Sequence, residues 1–376
     1  MSRLAELVNE YVQQYLTSKP NLTASTKESA PATKAWLASL GLVPTAAFSE
    51  ARIHYLYYRI ARNLIQASGG NPEDLKFAVE DATPYLVLID SFHASNKAEN
   101  EPLIRKAIAV EAAELFYASS RPERFDLFNH MSAGELFFVD VDSLLLEALC
   151  NYHVDWEIPQ VVHVAHLVRK ILHGYKARGG HFHVVEFDCN RFYWQNSPSK
   201  LMLRDVITAH LNTLSKANTP QEFHYKRFPN WWEEGKNSWK QYVRRYGPEF
   251  VVVNDGEQLL PADAAASKTF SLVLDDKDAE ERGKQILLDS AETGRDAVTM
   301  LRSFVMSLIA DRIHVVFSSR QVYKDNAIVA FVIRAHSSKF RPLTALMPCA
   351  ELWWQDRVNS IAKPADYTDE IGRAHV

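Results

Sequence analysis

Three apolar runs, ELFFVDVDS (135–143), HFHVVEFD (181–188) and EFVVVNDGE (249–257), each pass into carboxylates at their C-terminal ends. Each run is short, rich in β-branched or aromatic residues and bounded by polar ones, which predicts a buried strand. In a parallel sheet the C-terminal strand ends line one crevice, and ligands sit there. Asp140, Asp142, Asp188, Asp255 and Glu257 are therefore expected to converge on one site. Clustered carboxylates repel each other and are held together best by a hard cation, so Mg²⁺ or Mn²⁺ is the cofactor expected of such a crevice. Metals there would activate water and stabilise a leaving oxygen, the chemistry of phosphodiester hydrolysis. The plainer reading is that acids at strand ends act as caps and turn formers. Asp142, ahead of SLLLEAL, also has helix N-cap chemistry.

Working outward, the chain alternates strand and helix patterns from about residue 134. After the first run come SLLLEALCNY and PQVVHVAHLVRKILHGYKARGG, with Gly179–Gly180 as a helix stop. A helix follows the second run over SKLMLRDVITAHLNTL (199–214). Beyond the third run the pattern predicts a strand at TFSLVL (269–274), a helix over 277–310, a strand at RIHVVFSS (312–319) and a helix over 323–335. Alternating βα units argue for a mainly parallel sheet with helices on both faces. Residues 1–130 read as helical, with Leu4, Leu7, Val8, Tyr11 and Tyr15 at helical spacing and a Ser/Thr/Pro-rich loop over 17–34. PYLVLID (84–90) fits either a short strand or a buried helical turn, and Asp90 is read as a cap or surface group.

Composition excludes several function classes. The 376 residues carry a formal net charge of −4, which offers no global attraction to nucleic acid; any such binding needs a local patch. Cys150, Cys189 and Cys349 are odd in number and widely spaced, against a disulfide framework or zinc ribbon and for a reducing compartment. The N-terminus is amphipathic rather than a signal peptide, and no apolar run has the length of a membrane span. The expected location is cytoplasmic, with no membrane partner. With 13 glycines and no GxxxxGK[ST], HExxH or GxSxG, phosphate-loop, zincin and nucleophile-elbow chemistries are not supported.

The local patch is FHYKRFPNWWEEGKNSWKQYVRRYGP (223–248). Lys226, Arg227, Lys240, Arg244 and Arg245 interleave with Tyr225, Phe228, Trp231, Trp232, Trp239 and Tyr242. Aromatic faces stack on bases and cations track phosphates, so this segment is a candidate single-stranded RNA contact. The preferred alternative is that the tryptophans pack onto the sheet while the charges face water, with Glu233 and Glu234 diluting the patch. His163, His166, His173, His181 and His183 lack ligand spacing and read as helix-surface and sheet-face residues. Ser318–Ser319 reads as a strand terminus at the same crevice edge.

The succession GELFFVDVDSLLLEAL, HLVRKILHGYKARGGHFHVVEFD with RFYW, LRDVITAHL, FVVVNDGEQL and RIHVVFSSRQ resembles the N-terminal PIN-like region of the DExD/H-box helicase 60 family. These are large Ski-type RNA helicases linked to antiviral defence, and the resemblance runs over about 134–336. It implies an α/β fold: a PIN-like, mainly parallel sheet behind a helical N-terminal region. The corresponding divisions are 1–130 helical, 131–345 PIN-like, 346–369 the start of a linker, and 370–376 (EIGRAHV) a non-native tail. The family's acidic positions fall on Asp140, Asp142, Asp188 and Asp255, with Val141 where the family usually has glycine. The resemblance further implies RNA and protein partners, no DNA, and an ATP-dependent helicase core lying beyond this chain, which itself has no Walker A lysine and no DExD/H box. Three functions follow as expectations. The first is an accessory domain that binds RNA or docks a partner. The second is a PIN-type ribonuclease in which Asp140, Asp188 and Asp255 hold metal while Asp142 and Glu257 orient water or a second ion. The third is a non-catalytic scaffold.

Overall fold

A computed structural model describes residues 35–40, 42, 50–67, 69–77, 82–95, 97–119, 123–130, 135–149, 160–195, 197–217, 223–254, 291–324, 327–335 and 355. The chain divides into two compact units, residues 1–115 with 341–376, and residues 116–340.

The described part of the first unit is helical. Ile53, Tyr57, Ile60 and Leu64 recur every three or four residues along α1 (Glu50–Ala67) and are all buried. The run PYLVLID lies wholly inside α2 (Thr83–Ser95), which is apolar nearly all round and correspondingly buried. Asp90 is therefore a mid-helix residue, half-buried, rather than a cap. A long helix, α3 (Lys97–Ser119), follows. Its Glu111 is almost fully buried and satisfied by Arg59 at 2.9 Å and Asn63 at 2.8 Å, both from α1. The amphipathic stretch at 1–15 and the loop over 17–34 lie outside the described residues.

The second unit is built on a seven-stranded sheet. Its strands are β1 (Glu123–Asp126), β2 (Leu136–Asp140), β3 (His181–Phe187), β4 (His224–Phe228), β5 (Phe250–Val253), β6 (His314–Lys324) and β7 (Ala327–Ile333). The order is β1-β7-β6-β5-β2-β3-β4. The pairs β4–β3, β3–β2, β2–β5 and β5–β6 are parallel, while β6–β7 and β7–β1 are antiparallel. All three acid-tipped runs thus supply central, parallel strands. Their largely apolar character follows from burial on both faces. The chain order reverses at β2, whose neighbours are β3 and β5, so the crevice of such a sheet lies beside the end of β2.

Helices α5 (Val141–Leu149), α6 (Val161–Ala177), α7 (Pro198–Ala217), α8 (Trp239–Tyr246) and α9 (Ala291–Ala310) flank the sheet; a single-turn α4 (Leu127–His130) follows β1. Strand alternation sends Phe137 and Phe182 toward Tyr175 of α6, at ring separations of 5.7 and 5.9 Å. The opposite face sends Phe138 and Phe187 toward Trp239 of α8, at 5.6 and 5.1 Å. The expected stop at Gly179–Gly180 is present. Gly179 takes φ +79°, and a Cβ on Gly180 would lie 2.8 Å from the Tyr175 carbonyl oxygen, which accepts from the Gly180 N–H at the end of α6.

Two expectations change. Residues 323–335 are not helical: they carry the end of β6 and all of β7, a hairpin pairing Lys324 with Ala327. Only Asp325 and Asn326, turn-forming residue types, separate the two strands, and AIVAFVI is β-branched and aromatic. Residues 1–130 are not helical throughout, because β1 lies at 123–126 and pairs with β7. TFSLVL (269–274) and the first part of the 277–310 pattern lie outside the described residues; the remainder of that pattern is α9.

Candidate functional site

The end of β2 turns directly into α5, and Asp140 is the hinge residue. Its Oδ2 accepts from the Ser143 backbone N–H at 2.8 Å and from Ser143 Oγ at 2.5 Å, which is N-cap geometry. The helix cap is therefore Asp140 and not Asp142. Asp140 is wholly buried, and its Oδ1 has no hydrogen-bond partner among the described residues. Burial, with the neighbouring Asp142 carboxylate, pushes its carboxyl up to about 7, against the lowering effect of the Ser143 hydrogen bonds and Arg204.

Asp142, in the first turn of α5, faces Arg204 of α7. Arg204 Nε donates to Asp142 Oδ1 at 2.6 Å and Nη2 donates to Oδ2 at 3.0 Å, a bidentate pair with both side chains 0% exposed. Trp194 Nε1 adds a third donor to Oδ1 at 2.7 Å. Arg204 also donates to Glu186 Oε1 of β3 at 3.2 Å and to the Phe187 carbonyl at 2.9 Å. Tyr225 of β4 donates to the other Glu186 oxygen. Burial alone would lower the Arg204 pKa, but Asp142 and Glu186 outweigh it and hold the guanidinium charged. Burial raises the Glu186 carboxyl, and the Tyr225 hydrogen bond and Arg204 oppose that rise.

Asp188 opens a short 3-10 helix (Asp188–Tyr193) just past β3 and accepts from Arg227 of β4. Asp255 and Glu257 lie outside the described residues. Ser318 and Ser319 fall within β6 rather than at its end. Among the described residues, no group of three or more His, Cys, Asp or Glu side chains is placed to hold a metal ion. The donor chemistry explains this. Both Asp142 oxygens are taken by donors, Asp188 is engaged by Arg227, and Asp140 offers one open oxygen. Mg²⁺ prefers near-octahedral oxygen donors, and a buried guanidinium beside the same carboxylates repels it. With Asp255, the third expected ligand, outside the described residues, what the described residues form is an internal ion-pair centre of Asp142, Arg204 and Glu186. Its key members, Arg204, Glu186, Trp194 and Tyr225, escaped the sequence reading. One signal was available: Arg204 sits on the buried stripe of α7 with Leu203, Ile207 and Leu211, where a charge needs a partner.

The basic, aromatic segment forms β4 and α8. Trp231, Trp232 and Trp239 are 1%, 4% and 0% exposed. Trp239 packs among Phe138, Phe187 and Phe228, so it presents no face to a base, and its expected RNA contact is corrected to a core role. Lys226 and Arg227 are successive strand residues and point to opposite faces. Lys240 and Arg244 lie 3.8 and 3.6 Å from Glu234, and Arg245 sits over the Tyr246 ring at 5.3 Å. His163, His166 and His173 lie on α6 with no metal-holding group among the described residues.

A five-strand parallel core, acids at its C-terminal edge and helices on both faces define a mainly parallel α/β domain. More particularly, residues 110–265 match the family model of the PIN-like domain of the ATP-dependent RNA helicase DDX60. The resemblance carried by the strand succession is thus shown over that span. Among the described residues, no helix is long and apolar enough to cross a membrane.

Two predictions test the ion-pair centre. Arg204→Ala leaves two buried carboxylates facing each other and lowers stability by about 3–5 kcal/mol in urea melts. The double variant Arg204→Met/Asp142→Leu loses less than Arg204→Ala alone. The second concerns Asp140, whose folded pKa of about 7 lies above the ordinary carboxylate value. Its contribution to stability is full below about pH 4 and lost as pH rises through about 7. Asp140→Asn keeps a capping acceptor, removes this loss and raises stability at pH 8 by on the order of 2 kcal/mol, flattening the pH 4–7 profile.

Proposed function

We propose that this PIN-like domain is a non-cleaving accessory region of a DExD/H-box RNA helicase, one that binds RNA through its basic surface. The observation that carries the reading is the bidentate Arg204–Asp142 pair, which occupies with protein charge the place where a PIN nuclease would need open carboxylates. Two-metal phosphodiester cleavage requires ionised, unpaired oxygens around the cations. Both Asp142 oxygens are engaged by donors, and the open oxygen of Asp140 sits on a buried carboxyl whose pKa is raised. The RNA component rests on the match of residues 110–265 to a domain of an RNA helicase and on the exposed Arg244 and Arg245. ATP-dependent unwinding, in this reading, belongs to a helicase core outside the 376 residues.

The test combines cleavage with binding. Single-stranded RNA incubated with the chain and Mn²⁺ is expected to remain intact, with wild type and Asp140→Asn indistinguishable. Cleavage by wild type that Asp140→Asn abolishes would establish the ribonuclease instead. In anisotropy titrations the wild type is expected to bind RNA. Arg244→Ala/Arg245→Ala should lower affinity and reduce the salt slope by about 1. Absence of RNA binding by the wild type would leave the scaffold reading.

A further inference from the structure

The tryptophans that looked suited to stacking on bases are buried, yet a different set of rings is open to solvent on the α8 face of the sheet. His181 and His183 alternate along β3, so both point to this face, and His224 of β4 stands directly opposite His183 in the strand register. The ring centroids of His181 and His224 lie 6.0 and 4.7 Å from that of His183. Tyr246, the last residue of α8, places its ring 5.0 Å from His183 and is 40% exposed. His183 itself is buried, and its Nδ1 is engaged by the Tyr242 hydroxyl at 2.8 Å, so it works as the fixed centre of the cluster. His181, His224 and Tyr246 are exposed around it.

Cations border these rings. Arg245 lies over Tyr246, and Lys226 projects from the same face of β4 as His224, two residues on. α8 ends at Gly247, whose φ of +55° and N–H bond to the Val243 carbonyl at 2.8 Å fix the position of Tyr246. β4 is the terminal strand of the sheet among the described residues, so the platform stands at its margin. Rigid ring faces beside phosphate-seeking cations are how proteins hold unpaired bases without reading sequence. A duplex keeps its base faces stacked on one another and offers none to such a surface. The cluster is not a metal site, since the described residues hold no metal-binding group and His183 Nδ1 is already used.

We infer that His181, His224 and Tyr246 form a stacking platform for unpaired bases of single-stranded RNA, with Lys226 and Arg245 meeting the adjoining phosphates. This rests on the RNA-binding reading above and names its surface. The experiment uses the full chain, a short labelled oligoadenylate and an RNA duplex of equal length. Wild type and Tyr246→Phe bind the single strand alike. Tyr246→Ala binds about tenfold more weakly and His224→Ala severalfold more weakly, while the duplex binds poorly. Should Tyr246→Ala fail to fold, wild-type protein is photocrosslinked to an oligonucleotide carrying 4-thiouridine. Crosslinks on the peptides containing Tyr246 or His224 support the platform, and crosslinks confined elsewhere overturn it. Unchanged affinity in both alanine variants overturns the platform and leaves RNA binding standing. Preference for the duplex also overturns the platform. A wild type that binds no RNA overturns both.

Discussion

One buried guanidinium organises the acidic edge of this domain. Arg204 is fully enclosed, and each of its nitrogens faces a fixed acceptor: Asp142 on α5, Glu186 on β3 and the Phe187 carbonyl. Removing such a group from water is expensive, and the cost is offset only where the geometry is close and the remaining donors are satisfied. Here both conditions are met. The consequence is mechanical as well as energetic. α5, α7 and β3 are tied at one point, and Tyr225 extends the tie to β4. Opening this edge would strand a charge in a low-dielectric interior, so these elements hold one arrangement.

The same constraint underlies the non-cleaving role proposed for this edge. Acids at the C-terminal ends of parallel strands are the raw material of a cation site, and β2 and β3 present them. What decides the outcome is which partner neutralises them. In this domain the described carboxylates meet Arg204, Trp194, Ser143, Tyr225 and Arg227, all donors from the protein itself. Burial also drives the Cys189 thiol and the Tyr193 hydroxyl well up, so neither supplies a reactive anion beside Asp142. Apart from the open Asp140 Oδ1, the described edge is met by protein donors, in keeping with the rule that fold does not settle activity.

The sheet was legible because its central strands are buried on both faces and so read as unbroken apolar runs, each closed by a polar switch. The helix stop at Gly179–Gly180 was equally readable, since only glycine suits both the positive φ and the close approach to Tyr175. The hairpin β6–β7 was not. AIVAFVI carries no polar alternation, and a short apolar run fits helix or strand equally until its partner is known. The site was half legible. Local spacing placed Asp140 and Asp188 at strand ends, but their neutralisers lie far along the chain, 62 residues separating Asp142 from Arg204 and 39 separating Asp188 from Arg227. The tryptophans, for which packing was the preferred reading, were ambiguous for the opposite reason. An aromatic beside a cation looks alike whether it packs or binds, and only the buried contacts of Trp239 with Phe138 and Phe187 decide.

The terminal strand HYKRF shows how closely the two surfaces are interleaved. Tyr225 and Arg227 turn to the α7 side, where one completes Glu186 and the other pairs with Asp188. His224 and Lys226 turn to the α8 side, beside His183 and Phe228. Adjacent residues in sequence thus belong to environments of opposite character on either side of the sheet. Removing Arg227 subtracts a cation and also releases the Asp188 carboxylate, so any loss of polyanion binding would be the sum of a missing attraction and a new repulsion. Removing Lys226 subtracts a cation alone. The acidic centre therefore bears on the strand's charge through the Asp188–Arg227 pair, which sets how many of those charges remain free.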